Sequence, residues 1–416
     1  MSQTRKIYFD YAASTPVNPE VLQEMHPYFS ELFANPGSTH YAGRMAQAAV
    51  DNSRERIAQV FGVDQSGVIF LASATEANNL VLRGAVKQYK AKVGRGLPHI
   101  IVSVIEHESV LDTARDLEQC GEVEVTYVPV NSRGFVEPDI LRMALRPHTI
   151  LVSVMAVNNV TGAIQPISEI GTMIREFRQQ KLSLSNQARY TPFELQYPLL
   201  HTDAAQIFHT SEKQCDIQHI KTDMVIISSH KICGPKGAGA LILKNVISNQ
   251  PSVVRHQLSV ISPVVTGGGQ EFGFHSGTEN VPVIVGFAKA LEITMMSRNK
   301  EVRRLHALQE EFVKGIRAIF SRAVVNSFEP HAAGIFNVSF PGFTHDELLY
   351  KFDREGIAIS IGSACHAKLV KPSYVLVAMG VPQNIFESAL RFSFGSGTTK
   401  QEITYCLDAI KKIIHK

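Results

Sequence analysis

The stretch DMVIISSHKICGPKGAG, residues Asp223–Gly239, determines how the rest of the chain is arranged. Its apolar, β-branched run ends in Ser228, Ser229, His230 and Lys231, and a glycine-rich turn and a second apolar run follow. A buried parallel strand has this pattern, and α/β folds bind ligands at the carboxyl ends of such strands. Lys231 is therefore a candidate for an amine that forms a Schiff base. The alternative, a solvated loop lysine, stays open from this stretch alone.

Strand and helix patterns alternate in the part of the chain that precedes this stretch. The alternation predicts an α/β fold with a mostly parallel sheet covered by helices on both faces. A helix is also predicted over Pro19–Phe33, and the polar, non-periodic residues 180–197 are interpreted as a surface insertion. Strands are predicted near residues 68–70, 99–104, 123–128, 149–157 and 199–202, with helices over 42–61, 109–119 and 138–145.

The pattern changes after about Val260. A glycine-rich stretch, GGGQEFGFHSGTENVP, leads into a long helix that ends near Arg322. Strands are then predicted near residues 334–340, 357–361 and 389–394, and a capping box opens the last helix at Thr399. The sequence thus predicts a large domain over residues 16–260 and a smaller α+β domain made of residues 1–15 and 261–416.

Composition and charge exclude several classes of function. The formal net charge of +3 over 416 residues indicates no nucleic-acid or membrane partner. Five scattered cysteines without a C-x-x-C pair fit a reducing compartment, and no signal-like or membrane-spanning apolar run is found, so a cytoplasmic location is predicted. No H-E-x-x-H motif or Cys/His cluster appears, and no metal site is expected.

Two further segments, together with Lys231, predict a pocket for pyridoxal phosphate. The turn Ala72–Glu76 lies between a strand and a helix, and such a helix N-terminus binds phosphate through backbone N–H groups. Asp203 precedes Lys231 by one strand–helix–strand unit, so both side chains are expected at the same edge of the sheet. A carboxylate there would keep a pyridinium nitrogen protonated. Taken singly, each segment also fits an ordinary helix N-cap.

Other polar residues follow strands at the same predicted edge. His107 comes directly after a strand and could cover a planar cofactor, although a loop histidine with ordinary hydrogen bonds fits equally well. Asn158 and Asn159 end another strand and could bond the ring hydroxyl or a substrate carboxylate. Arg391, in a strand of the smaller domain, could bind a carboxylate through two parallel hydrogen bonds.

A candidate nucleophile lies in the segment IGSACHAK, residues 361–368. Free cysteines are usually small buried apolar residues, but Cys365 stands in a polar loop beside His366 and Lys368. Neighbouring cations lower the pKa of a thiol and favour the nucleophilic thiolate. Cys233 is a rival nucleophile, ranked lower because it is only two residues from Lys231.

These motifs together resemble those of the cysteine desulfurases of the NifS/IscS type. The resemblance extends over nearly the whole chain, through YFDYAASTP, NPGSTH, ATEANN, EHESVLDT, VNN, HTDAAQ, SSHKICGPKGAG, GGGQE, SGTEN and GSACHA. It implies a pyridoxal-phosphate-dependent, aminotransferase-like fold of type I, with a mostly parallel seven-stranded sheet and a smaller α+β domain. It also implies a homodimer with active sites at the interface, L-cysteine as substrate and a sulfur-acceptor protein as partner.

The resemblance also implies a role for individual residues. Lys231 would bind the cofactor covalently, His107 would stack on its ring and shuttle a proton, and Cys365 would accept sulfur as a persulfide. Arg391 and Asn35 would hold the substrate carboxylate. The remaining cofactor contacts would come from Ala74, Thr75, Asn159, Asp203, Gln206, Ser228, His230 and, in a partner subunit, Thr278.

Several positions depart from the family pattern. Ser73 replaces a glycine, Val160 an acidic residue and His275 an arginine. The activity implied is the conversion of L-cysteine to L-alanine, with sulfur passed on for iron–sulfur clusters, another thio-cofactor or nucleic-acid thiolation. The G-x-A-C-H run and the insertion are also similar to those of selenocysteine lyases, which is one alternative. A non-catalytic binding subunit of a sulfur pathway is another.

Overall fold

A computed structural model describes residues 6–184, 193–244, 261–362 and 373–415. The proposed nucleophile Cys365 therefore lies outside the described residues. The strands are β1 Ile7–Tyr8, β2 Val68–Leu71, β3 His99–Ser103, β4 Glu124–Val128, β5 Thr149–Ser153, β6 Leu199–Asp203, β7 Met224–Ser228, β8 Gly239–Leu243, β9 Val324–Val325, β10 Ile335–Ser339, β11 Ile357–Ala358 and β12 Ala389–Ser393. The α-helices are α1 Pro19–Met25, α2 Pro27–Ser30, α3 Tyr41–Phe61, α4 Ala74–Val93, α5 Glu108–Gln119, α6 Pro138–Ala144, α7 Ile167–Leu184, α8 Val281–Ile319, α9 His345–Arg354, α10 Tyr374–Ala378, α11 Gln383–Phe386 and α12 Lys400–Ile414.

Seven strands form one sheet in the order β2-β8-β7-β6-β5-β3-β4. Only β8 runs antiparallel to its neighbours, so the predicted mostly parallel seven-stranded sheet is confirmed. In β7, Val225 and Ile227 contribute to one apolar cluster while Met224 and Ile226 contribute to another. Because alternate residues of a strand face opposite sides, the sheet is buried on both faces. The carboxyl ends of its parallel strands form one edge, where loops meet.

The remaining strands form two smaller sheets. The antiparallel sheet has the order β12-β10-β9, and β1 pairs with β11 in parallel, so the first strand packs with C-terminal elements as expected. Phenylalanine rings fill the core between these sheets and helix α8, with Phe312 in edge contact with Phe9, Phe336, Phe392 and Phe394. The predicted domain boundaries after residues 15 and 260 stay a prediction.

Three local predictions were wrong in detail. The helix expected over Pro19–Phe33 divides into α1 and α2 at Pro27, which has no N–H to continue the hydrogen-bond series. The strand expected to reach Val157 ends at Ser153. The segment interpreted as a surface insertion begins inside helix α7, and its far end packs inward because the Tyr197 ring contacts Tyr89 and is almost fully buried.

Among the described residues, none of the helices combines the length and the apolar character needed to cross a bilayer.

Candidate active site

A cavity of about 270 Å³ opens at the carboxyl edge of the large sheet. Its walls come from the loops after β2, β3, β5, β6 and β7, together with the turn after β1 and the strand β12. Ten of the residues predicted for the site line it: Ala74, Thr75, His107, Asn159, Asp203, Gln206, Ser228, His230, Lys231 and Arg391.

Lys231 stands in the cavity wall because the buried strand β7 ends at Ser228 and a single 3₁₀ turn follows. The Lys231 Nζ donates to the carbonyl oxygens of Ala12 at 2.6 Å and Ala13 at 2.9 Å. The amide of Gln206 donates to the same Ala12 carbonyl at 2.9 Å. The N-terminal turn thus positions the amine that the sequence predicts to bind the cofactor.

A series of hydrogen bonds connects Asp203 with His107. Asn78 Nδ2 donates to Asp203 Oδ2 at 2.9 Å and to Ser109 Oγ at 2.8 Å, which leaves the Ser109 hydroxyl to donate to His107 Nδ1 at 2.8 Å. If the Asn78 amide were reversed, its oxygen would face the Asp203 carboxylate. The orientation with Nδ2 towards Asp203 is therefore assigned. The Ser109 N–H also donates to Nδ1, so the neutral His107 ring carries its proton on Nε2. The site therefore presents a fixed carboxylate and an oriented imidazole.

Another group of lining residues suits an anion. Helix α4 begins at Ala74, and the first-turn N–H groups of a helix attract negative charge. Burial, followed by the charges of Lys231 and Lys236, lowers the pKa of His230 to about 4, so the ring is neutral and can donate one N–H. The buried Ser228 Oγ, at the end of β7, has no hydrogen-bond partner among the described residues.

Arg391 belongs to strand β12 of the three-stranded sheet, and its side chain is only 2% exposed. Its Nη1 donates to the carbonyls of Asn159 at 3.0 Å and Gly362 at 2.6 Å, and its Nη2 donates to Asp10 Oδ1 at 2.6 Å. The buried Nε has no partner in the described part of the chain. The guanidinium is thus fixed in orientation and keeps its Nε donor for a carboxylate.

Glu106 is a buried carboxyl next to this machinery. Its Oε1 accepts from Ser103 Oγ at 2.5 Å and from the Met155 N–H at 2.7 Å. The pKa of Glu106 is raised to about 8, chiefly by burial and also by the nearby Asp203 charge, although hydrogen bonds from Ser103 and Met155 act to lower it. Glu106 is therefore largely protonated at neutral pH, and it joins the ends of β3 and β5 just before His107.

Two of the predicted site residues, Asn35 and Thr278, do not line the cavity, and a third is not described. Asn35 lies exposed in a loop, where its Oδ1 accepts from the Gly37 N–H at 2.8 Å. Thr278 is also exposed, as expected for a residue assigned to a partner's site. Cys365 lies in 363–372, outside the described residues.

Cys233 faces a different space. It lines a second cavity of about 250 Å³, which Lys231 also borders, and its Sγ lies 3.7 Å from Ser396 Oγ. Cys233 does not line the first cavity. This position agrees with its lower rank as a nucleophile.

The departures from the family pattern have local explanations. Ser73 has φ −164° and ψ 164°, an extended backbone that needs no glycine, and its Oγ caps helix α4 by accepting from the Glu76 N–H. His275 Nε2 contacts Glu76 Oε1 at 2.7 Å, so the substituted residue is tied to the same helix start. Val160 is buried and packs close to Gly362.

Sequence reasoning missed the residues that support the site. Asn78, Asp10 and Ser109 each contact a predicted site residue, and all three fall inside motifs quoted above. The motifs gave the signal, but only the folded chain shows what each side chain contacts. Tyr374, whose hydroxyl donates to the Glu106 carbonyl at 2.6 Å, belongs to the motif PSYVL, which also resembles the family, but only the folded chain brings helix α10 to this site.

Known proteins share this sequence and this architecture. The class V aminotransferase family model matches residues 7–184 and 196–406. The chain is 35% identical over 415 residues to the cysteine desulfurase IscS of Dictyoglomus turgidum, covering 99% of this chain and 95% of that protein. Among solved structures it is similar to a NifS-like protein, with a TM-score of 0.83, 31% identity and coverage of 99% and 100%. It is also similar to SspA in complex with cysteine, with a TM-score of 0.72, 32% identity and coverage of 94% and 99%.

Proposed function

Because the chain belongs to the class V aminotransferases and, among them, to the cysteine desulfurases, we propose that it converts L-cysteine to L-alanine and collects the sulfur on Cys365. The similar SspA has been solved in complex with cysteine, the substrate proposed here. The similar proteins are named as cysteine desulfurases and NifS-like proteins, which does not favour either alternative, a selenocysteine lyase or a non-catalytic binding subunit. Turnover rates on cysteine and selenocysteine test the first of these alternatives directly.

The observation that carries the proposal is the fit of the first cavity to pyridoxal phosphate. Among the described residues, the buried Gln206 Oε1, Ser228 Oγ and Asn159 Oδ1 line this cavity without hydrogen-bond partners. Unpaired buried polar atoms are costly, and a bound polar group would satisfy them. The same cavity is lined by a carboxylate, Asp203, and by the first residues of helix α4, the groups that a ring nitrogen and a phosphate require.

Pyridoxal phosphate, bound through Lys231, would act as the electron sink that lets the substrate lose its Cα proton. Asp203, fixed by Asn78, would pair with the ring nitrogen. Lys231 Nζ, once released from the cofactor, would take the Cα proton. His107, whose Nε2 carries the proton, would stack on the ring and donate or return a proton. Arg391 Nε would bind the substrate carboxylate by a charge-assisted hydrogen bond.

Sulfur transfer needs no external oxidant. The Cys365 thiolate attacks the substrate sulfur, a new S–S bond forms, and the substrate C–S bond breaks. The electron pair of that bond stays on carbon, which takes up a proton, so that alanine leaves and Cys365 carries the persulfide. The thiol sulfur is oxidised and the substrate carbon is reduced, which balances the step.

Cysteine-to-serine variants test this assignment. Cys365→Ser should keep the visible absorption of the bound cofactor and still change that absorption when cysteine is added, yet release neither alanine nor sulfide. Cys233→Ser is the matched control and should keep its activity. Lys231→Ala should lose the absorption of the covalently bound cofactor. Undiminished sulfide release by Cys365→Ser, or its loss only in Cys233→Ser, would contradict the assignment.

A homodimer, a cytoplasmic location and a protein acceptor for the sulfur are parts of the same proposal. The exposed position of Thr278 supports the dimer, since this residue could complete the site of a second copy. The loop that carries it is anchored by the buried ion pair of Arg54 and Glu271, whose side chains are 5% and 3% exposed. Iron–sulfur clusters, other thio-cofactors and nucleic-acid thiolation are the three uses considered for the sulfur, and capture of persulfide-bearing partners would distinguish them.

A further inference from the structure

Two histidines and a glutamate converge outside the cavity described above. His306 belongs to helix α8, whereas Glu329 and His331 follow strand β9. The Glu329 Oε1 lies 3.2 Å from His331 Nε2 and 3.6 Å from His306 Nε2, and the three ligand atoms all lie within 4.8 Å of one another. We propose that this cluster binds a divalent transition-metal ion such as Zn²⁺.

The Nδ1 atoms of both rings face hydrogen-bond acceptors, as the nitrogen that does not bind the metal usually does in a metal-bound histidine. His331 Nδ1 lies 3.2 Å from the Ala332 carbonyl oxygen, and His306 Nδ1 lies 3.4 Å from Glu310 Oε1. If each Nδ1 donates its proton outward, each Nε2 keeps its lone pair for a metal. The Gln309 amide lies 3.4 Å from His331 Nε2 and donates to the same lone pair, so this one contact would be displaced when a metal binds.

The glutamate is oriented as well. Its Oε2 accepts from the backbone N–H of His331 at 3.2 Å, which turns Oε1 toward the two rings. The rings themselves are nearly parallel, with an interplanar angle of 16° and centroids 5.7 Å apart. Contacts at Glu329 Oε2 and at the two Nδ1 atoms therefore orient all three ligands.

The distances between the ligand atoms and the types of ligand favour Zn²⁺ or a similar transition metal. Tetrahedral coordination at about 2.0–2.1 Å gives ligand-to-ligand separations of about 3.3 Å, close to the observed 3.2 and 3.6 Å. Two imidazoles and one carboxylate suit Zn²⁺ and its neighbours, whereas Ca²⁺ and Mg²⁺ prefer oxygen alone. The Glu329 side chain is 60% exposed and that of His331 is 12% exposed, so a water molecule can reach the fourth position.

A metal here would join two parts of the chain. His331 forms a bridge with Ala163, and the next residue, Ala332, donates its N–H to the Gly162 carbonyl at 2.8 Å. This segment thus contacts the loop after β5, while His306 belongs to the long helix α8. Binding to the folded chain would therefore raise its resistance to unfolding.

Equilibrium dialysis of the full-length, cofactor-loaded protein against buffered micromolar Zn²⁺ tests the proposal. His306→Gln should bind one equivalent less than the wild type, and so should His331→Gln. His219→Gln, which changes an exposed histidine beside Asp216, should bind as the wild type does. Cysteine thiols that bind Zn²⁺ contribute equally to all four proteins, so the difference counts only this site.

Thermal unfolding gives a second measurement. Zn²⁺ should raise the unfolding midpoint of the wild type and of His219→Gln but not that of His306→Gln, while all three midpoints should agree in excess chelator. Equal Zn²⁺ stoichiometry in the wild type and His306→Gln would overturn the proposal. So would an equal loss in His219→Gln, or the same metal-dependent rise in His306→Gln.

Discussion

Replacing Glu106 by glutamine should make the protein progressively more stable than the wild type as the pH rises. The native state holds this carboxyl in its neutral form, because burial raises its pKa from 4.5 to about 8. An unfolded chain would release the proton near pH 4.5. The stability due to the raised pKa is fully present below pH 4.5 and is lost as the pH rises towards 8. Glutamine is neutral at every pH and avoids this loss.

The size of the effect follows from the two pKa values. Each pH unit between them changes the free energy of unfolding by about 1.36 kcal/mol, so the interval from 4.5 to about 8 gives a ceiling of about 5 kcal/mol. Between pH 5 and pH 8 the wild type should lose about 3.5 kcal/mol relative to Glu106→Gln. The glutamine carbonyl can still accept from Ser103 and Met155, the two donors that Oε1 uses.

The assay is urea unfolding of both proteins at several pH values from 5 to 8. The difference between them isolates position 106, because every other titrating group is common to the two chains. Glu55→Gln, at an exposed position of helix α3, is the matched control for the effect of a glutamate-to-glutamine change at the surface. A pH-independent difference for Glu106→Gln, or one that favours the wild type as the pH rises, would refute the reasoning.

Two other substitutions test contacts described above. Arg54→Met leaves the buried Glu271 without its cation, so the free energy of unfolding should fall by about 3–5 kcal/mol in urea titrations; a fall below about 1 kcal/mol would contradict the role of this pair. Arg391→Lys keeps the charge but loses the planar guanidinium, so the KM for cysteine should rise by about tenfold or more. An unchanged KM would remove Arg391 from the carboxylate site.

The sequence predicted the structure best where a local pattern of residues determines the secondary structure and its burial. The β-branched run before Ser228 can only be buried by a sheet covered on both faces, and this places Lys231 and Asp203 at the same edge. Helix ends could also be predicted from nearby residues. Gly62, at φ 62°, ends helix α3, and the Thr399–Glu402 capping box begins helix α12, as the sequence predicts.

Contacts between distant segments could not be predicted in this way. The bond from Asn78 to Asp203 and the ion pair of Asp10 with Arg391 join residues more than a hundred positions apart. His306 and His331 are closer in the chain, but no spacing rule connects them, and the expectation of no metal site was based on such rules. Pro27 is a different case, because a proline within a periodic stretch signals the helix break that was overlooked.

The amino-terminal segment has a consequence for how the protein can be shortened. Its first strand, β1, pairs with the C-terminal strand β11. The residues that follow supply the carbonyl acceptors for the Lys231 amine and the carboxylate, Asp10, that pairs with the buried Arg391. A deletion of residues 6–13 would remove none of the thirteen residues to which a role in the reaction was assigned. It would nevertheless release the amine and leave a cation without its partner, so a working enzyme also needs the first described residues of the chain.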